Sequence, residues 1–218
     1  MQTQEFKDTV NGIELSIRDI SGSGTVPCVF VELKGNFYGL ETIDIKEDDV
    51  ILDIGANIGM FSIYVKKKFN CKVIAFEPVK ENIENFKHNI IQNGLKLEDI
   101  EIHDCAITDV EGGELKISLM AHNSGGSSTF LIGENSQTCR TETLEKYITP
   151  KCKYLKIDCE GGEYAIIPTI LDKLNQFKYI GIEYHKYLWN HDAIELHNTI
   201  LSNFRGQLFY SDPNKPVS

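Results

Sequence analysis

From residue 50 onward, short runs of branched apolar residues alternate with longer stretches whose apolar positions return every three or four residues. Val50-Ile-Leu-Asp-Ile54 and Lys72-Val-Ile-Ala-Phe76 read as buried strands. Between them, Ile58, Phe61, Val65 and Phe69 mark one face of a helix. Val79, Ile83, Phe86 and Ile90 repeat that spacing, and Gly94 is placed to end the second helix. Further strands are expected at Ile100-Glu-Ile-His-Asp104, Lys153-Tyr-Leu-Lys-Ile157, Tyr179-Ile-Gly-Ile-Glu183 and Gln207-Leu-Phe-Tyr210. Helices are expected over residues 163 to 174 and along Ala193, Leu196, Ile200 and Phe204. Glu114-Leu-Lys-Ile-Ser118 should pair in a local hairpin after the Glu111-Gly-Gly113 turn. Residues 1 to 40 read as short strands and turns, with Val29-Phe-Val-Glu-Leu33 extended.

Strands alternating with amphipathic helices predict βαβ units: a Rossmann-like three-layer sandwich, its central sheet mostly parallel and helices on both faces. At 218 residues the chain is expected to form one domain. Residues 50–211 would form its core, and the strands and turns of 1–49 would pack on or cover it. The balance of 22 basic and 32 acidic side chains gives a net charge of −10, which disfavours a nucleic-acid partner bound through its phosphates. No run approaches the ~18 apolar residues of a membrane span, and the first residues lack the order of a secretory signal. The six cysteines form no C-x-x-C pair, so they read as reduced thiols of a cytoplasmic protein.

Ligands of such sheets sit at the carboxyl ends of the strands. After the first core strand comes Asp53-Ile-Gly-Ala-Asn-Ile-Gly59, where Gly55 lets the backbone pass close under a ligand and Gly59 lets the helix pack on the strand. The second strand closes with Phe76-Glu77-Pro78, and a carboxylate there can take both ribose hydroxyls. Asn57 and Met60 stand where a G-x-G-x-x-G fingerprint needs glycine, so the turn that binds pyrophosphate is not written. The remaining D-x-G-x-x-x-G with a ribose acid suits a nucleoside without phosphate, such as S-adenosylmethionine.

These residues resemble the FkbM family of S-adenosylmethionine-dependent methyltransferases. The matching stretches are VILDIGANIGMFS (50–62), VIAFEPVKEN (73–82), HDCAITDVEG (103–112), ETLEKY (142–147), LKIDCEGGEY (155–164) and IGIEYH (180–185). The resemblance implies the class I methyltransferase fold and methyl transfer, usually to oxygen on a small molecule or glycan. It places Asp53, Gly55, Ala56, Asn57 and Gly59 in the turn beneath the methionine part, and Glu77 on the ribose. Asp104, Cys105 and Ala106 would lie at the adenine edge, and Tyr38 would cover the methionine carboxylate. Class I sheets normally finish with an antiparallel strand, yet only eight residues follow Tyr210 here.

Lys156-Ile-Asp-Cys-Glu-Gly-Gly-Glu163 supplies the second cluster. Asp158 stands where class I enzymes put the residue facing the transferred methyl group; Glu160 follows, and Glu163 more naturally opens the next helix. Glu183 and His185 close the following strand at the same end of the sheet. His185 is the natural general base, with Asp158 or Glu160 orienting it or taking the proton. Asp158 with Glu183 could instead hold magnesium, as in catechol-type O-methyltransferases. Asn123-Ser-Gly-Gly-Ser-Ser128 is either a gate over the acceptor pocket or a plain loop. The expected function is O-methylation of a glycan or small metabolite. A nucleic-acid methyltransferase and a non-catalytic cofactor-binding module are the alternatives.

Overall fold

A computed structural model of the chain describes residues 2–119, 124–125, 135–185 and 192–210. Strands β1 (Thr3–Val10) and β2 (Ile13–Ile20) form an antiparallel hairpin, turning at Asn11 and Gly12, both with left-handed backbone. Helix α1 (Thr25–Lys34) follows. The core then runs β3 (Val50–Ile54), α2 (Met60–Phe69), β4 (Lys72–Phe76), α3 (Lys80–Gln92), β5 (Ile100–His103) and the two-residue β6 (Ala106–Ile107). Next come β7 (Glu114–Leu119), β8 (Asn135–Glu142), β9 (Cys152–Ile157), α4 (Glu163–Thr169), β10 (Tyr179–Ile182), α5 (Ala193–Asn203) and β11 (Gln207–Tyr210).

Six strands pair in the order β11-β10-β9-β3-β4-β5, every pair parallel. Their alternating residues feed two cores. Ile51, Val73 and Tyr154 join Phe61, Tyr64, Phe86 and Ile90 of α2 and α3 on one face. Leu52, Ile54, Leu155 and Ile180 join Ile166, Ile167, Leu196 and Ile200 of α4 and α5 on the other. Val10, Leu15 and Phe30 belong to the first core, so the N-terminal hairpin and α1 share their interior with the sheet. The chain leaves β3 outward through β4 and β5 and returns to β3's other side as β9. The switch point of this doubly wound sheet therefore lies between the ends of β3 and β9.

Three expectations need correction. Residues 29–33 are not extended: they lie inside α1, because Val26, Phe30 and Leu33 fall on one buried helical face. β7 pairs antiparallel with β8, a strand the sequence reading left unassigned, and not in a local hairpin. The helix expected to reach residue 174 ends at Thr169, after Pro168, and continues as a 3₁₀ turn over Leu171–Gln176. β11 pairs parallel with β10, and no antiparallel strand joins this sheet among the described residues.

Candidate functional site

The turn leaving β3 is held by tight backbone geometry. Gly55 has φ +76°, and a Cβ there would stand 1.8 Å from the Asp158 carbonyl oxygen. Gly59 caps α2 at φ +86°, where a Cβ would strike the Phe86 ring at 1.9 Å. The N–H groups of Gly55 and Ala56 donate to the Phe76 carbonyl, and that of Gly59 donates to Ala56. Ile58 N–H donates to Asn57 Oδ1 and Asn57 N–H to Glu77 Oε2 at 2.8 Å. Every N–H of residues 55–59 thus has a protein partner, and none is left to form an anion nest.

Glu77 is buried at the end of β4. Its second oxygen accepts from Val79 N–H at 3.0 Å and from Asn82 Nδ2 at 3.1 Å. Burial pushes the carboxyl up to about 7, against these donors. The side-chain amides of Asn57 and Asn82 also both donate to the Ser124 carbonyl, at 2.8 and 3.2 Å. Ser124 Oγ in turn donates to Asp19 at 2.9 Å. Ser124 and Gly125 therefore lie over the turn, tied to the N-terminal segment; the rest of the 123–128 stretch falls outside the described residues.

A cavity of about 490 Å³ opens between the turn, Glu77 and the small sheet of β6, β7 and β8. Gly55, Asn57, Glu77, Cys105 and Ala106 line it, with Asp158 and Glu160 at its other wall. Phe76, Val79, Ile107 and Leu115 make its apolar surface. Other residues proposed from the sequence stand behind or away from this lining. Ala56 and Gly59 shape the turn. Asp53 is wholly buried beneath it, accepting from Ser62 Oγ at 2.6 Å. Asp104 is exposed, with its carbonyl receiving Arg140 Nε at 3.0 Å. The Tyr38 hydroxyl donates to Glu32 at 2.9 Å, and its ring packs edge-on against Phe61.

The ends of β9 and β10 build the second half of the site. Lys156 Nζ, 4% exposed, lies 3.2 Å from both Asp53 Oδ1 and Asp158 Oδ2 and donates to the Gly55 carbonyl at 3.0 Å. Burial opposes its charge, but Asp158 and Asp53 outweigh burial and hold the ammonium above its usual range. Burial would likewise raise Asp158, yet Lys156 and His185 hold it below the usual carboxylate value. Burial and the neighbouring Asp158 push Glu183 up to about 8. His185 lies 3.7 Å from Asp158 and 3.8 Å from Glu160 through Nε2. Burial disfavours its charge, but Glu163, Asp158 and Glu160 prevail and push it up to about 10. Asp158, His185 and Glu160 do converge, as the sequence suggests.

Asp158, Glu183 and His185 can each present a ligand atom within 4.8 Å of the others. The donor set suits a hard cation, but Lys156 Nζ already stands 3.2 Å from Asp158 Oδ2 and His185 Nε2 3.7 Å from Asp158 Oδ1. The lysine ammonium brings beside Asp158 the positive charge a metal would supply, so a magnesium site at Asp158 and Glu183 is not supported. Lys156 is the main functional residue that sequence reasoning missed. Its signal was legible: a lysine inside an apolar strand, two residues before a carboxylate and on the same strand face.

A six-stranded doubly wound sheet with a buried acid after its second strand, and no phosphate nest at its switch point, defines a Rossmann-like class I methyltransferase fold. The chain belongs to the FkbM methyltransferase family: the family's Methyltransferase FkbM domain matches residues 53–209. It is 25% identical to the hexuronic acid methyltransferase AglP of Haloferax volcanii over 81% of this chain and 69% of that protein. It is 27% identical to Methyltransferase 1 of Beauveria bassiana over 58% of this chain and 60% of that protein. The chain thus spans 60% of the length of Methyltransferase 1 and 69% of that of AglP. Among solved structures, an Agrobacterium tumefaciens SAM-dependent methyltransferase aligns with a TM-score of 0.39 at 13% identity, over 84% of this chain and 40% of that one. Among the described residues no helix is long and apolar enough to cross a membrane.

Proposed function

We propose that the chain is an S-adenosylmethionine-dependent O-methyltransferase acting on a hydroxyl of a glycan or small metabolite. The observation that carries this reading is that one cavity has the buried Glu77 at one wall and Asp158 at the other. Its size falls within the ~300–1,000 Å³ of small-molecule sites. The apolar lining suits a neutral base, Glu77 suits the ribose hydroxyls, and the spent N–H groups of residues 55–59 suit a cofactor without phosphate. When bound, S-adenosylmethionine supplies an activated methyl group.

The chain's own residues then have to place the acceptor hydroxyl and take its proton. Asp158 is the fitting recipient. A hydroxyl oxygen becomes strongly acidic as it gains a methyl group, so a carboxylate held at low pKa by Lys156 suffices. In this arrangement the base role shifts from His185, whose ring Glu163, Asp158 and Glu160 hold toward its charged form, to Asp158. The acceptor class draws support from AglP, whose name makes its substrate a hexuronic acid, a hydroxyl-bearing sugar.

The test is incubation with methyl-labelled S-adenosylmethionine and separate panels of sugars, phenols and RNA, with products identified by mass spectrometry. O-methylated sugar or phenol is the expected result. Label found only in RNA would establish the nucleic-acid alternative. Tight cofactor binding with no transfer to any panel would favour the non-catalytic binding module.

A further inference from the structure

Glu163 opens α4, as its position in the sequence suggests, but its contacts go further than a helix start requires. The residue is wholly buried. Its Oε1 accepts from the His185 backbone N–H at 2.7 Å and lies 3.2 Å from the ring Nδ1. Its Oε2 accepts from Gly161 N–H at 3.0 Å and from the Cys159 thiol at 3.8 Å. One carboxylate therefore ties the β9–α4 loop, which carries Asp158 and Glu160, to the end of β10, which carries His185. A helix of seven residues has little dipole to satisfy, and a dipole would not explain two contacts to a residue on another strand.

We propose that Glu163 is a positioning residue for methyl transfer: it fixes the His185 ring with Nδ1 toward itself and Nε2 toward Asp158 and Glu160, so that the ring keeps one place beside those carboxylates. The role in transfer rests on the O-methyltransferase reading above; the clamp itself does not. A carboxylate at Nδ1 fixes the orientation of the ring and so aims Nε2 at the two acids, 3.7 and 3.8 Å away. The charged and titratable groups around the ring among the described residues come from every neighbouring element. Glu163 faces it from α4, Asp158 and Glu160 from the loop, Glu183 from the end of its own strand, and Lys156 stands behind Asp158 on β9. Removing the clamp leaves the ring beside fewer negative charges and free to rotate, so its titration should change.

The experiment follows the ring nitrogens of His185 by long-range ¹H–¹⁵N NMR in wild type, Glu163→Gln and Glu163→Asp, with His185→Asn identifying the signals. In wild type both nitrogens should stay protonated through neutral pH, with the midpoint near 10. In Glu163→Gln the midpoint should fall by about two pH units. Glu163→Asp keeps the charge and should restore much of the shift, which a merely structural role would not predict; if Glu163→Gln fails to fold, the wild-type midpoint alone still decides. A wild-type ring titrating near 6.5, or a midpoint unmoved in both folded variants, overturns the proposal and leaves Glu163 as a helix start. Calorimetry with S-adenosylhomocysteine on the wild-type protein separates the two claims. Absence of binding there would sink the methyltransferase reading while the NMR result stood on its own.

Discussion

Glu77 shows how far a single carboxylate can be read before any fold is known. An acid directly after the second strand suggested a ribose contact, and the chain indeed buries it in the cavity wall. What the sequence hid is that Asn57, Val79 and Asn82 already donate to it, because those partners come from three different places in the fold. Glu77→Ala should weaken S-adenosylhomocysteine binding by about 1.5–3 kcal/mol, the scale of a hydrogen bond to a buried charge. Because burial pushes the carboxyl up to about 7, affinity should rise as pH is raised through that value, and Glu77→Gln should flatten the rise; calorimetry across the range checks both. Gly55 was legible as a glycine position, but not its reason, which is the Asp158 carbonyl 1.8 Å from where a Cβ would sit. Gly55→Ala should therefore lower the melting temperature and abolish cofactor binding together. For transfer itself, Asp158→Asn should slow the reaction by roughly 10²–10⁴-fold, the usual loss for a missing proton acceptor, with cofactor affinity nearly intact. Equal turnover rates in the two proteins would remove Asp158 from that role.

At the scale of elements, the sequence was clearest where burial is two-sided. β3, β4, β9 and β10 are enclosed by helices on both faces, so their apolar runs announce themselves. α1 was not legible as a helix, because residues 29–33 alternate like a strand while the helical period emerges only when Val26, Phe30 and Leu33 are taken together. β8 was missed for a different reason. Asn135–Glu142 is polar, with Cys139 its one apolar residue, so no hydrophobic alternation announces a strand that pairs with the preceding β7. The contacts of Ser124 were equally invisible, since Asp19 and Asn57 lie more than sixty residues from it. They make it the link between the N-terminal segment and the turn that would lie under the cofactor. Ser124→Ala should speed S-adenosylhomocysteine dissociation in stopped-flow measurements while leaving the melting temperature nearly unchanged. An unaltered off-rate would show that the hydroxyl is not part of the cover.

Over the whole molecule, the topology followed from the strand–helix rhythm, whereas the edge of the sheet did not. β11 lies parallel beside β10, a pairing that local pattern cannot distinguish from an antiparallel return. The buried titratable groups also leave a signature in global stability. Glu77 and Glu183 have folded values raised from 4.5 to about 7 and about 8. Each then holds its proton longer in the folded state than in the unfolded one, so stability falls as pH climbs from 4.5 through those values. His185 is raised from 6.5 to about 10; its contribution is complete below 6.5 and is lost as pH rises through about 10. Urea unfolding should trace two successive losses, and His185→Asn should erase the later one. The close seat of Gly55 on the Asp158 backbone carries a further consequence. The turn that would carry the cofactor and the loop that would meet the acceptor share one wall, so neither can shift without moving the other. Two ligands bound across such a wall are thermodynamically linked, and the linkage must be reciprocal. Whatever factor a true acceptor adds to the affinity for S-adenosylhomocysteine, the nucleoside must return in equal measure, which makes a tightening of that complex a way to screen for the acceptor without turnover.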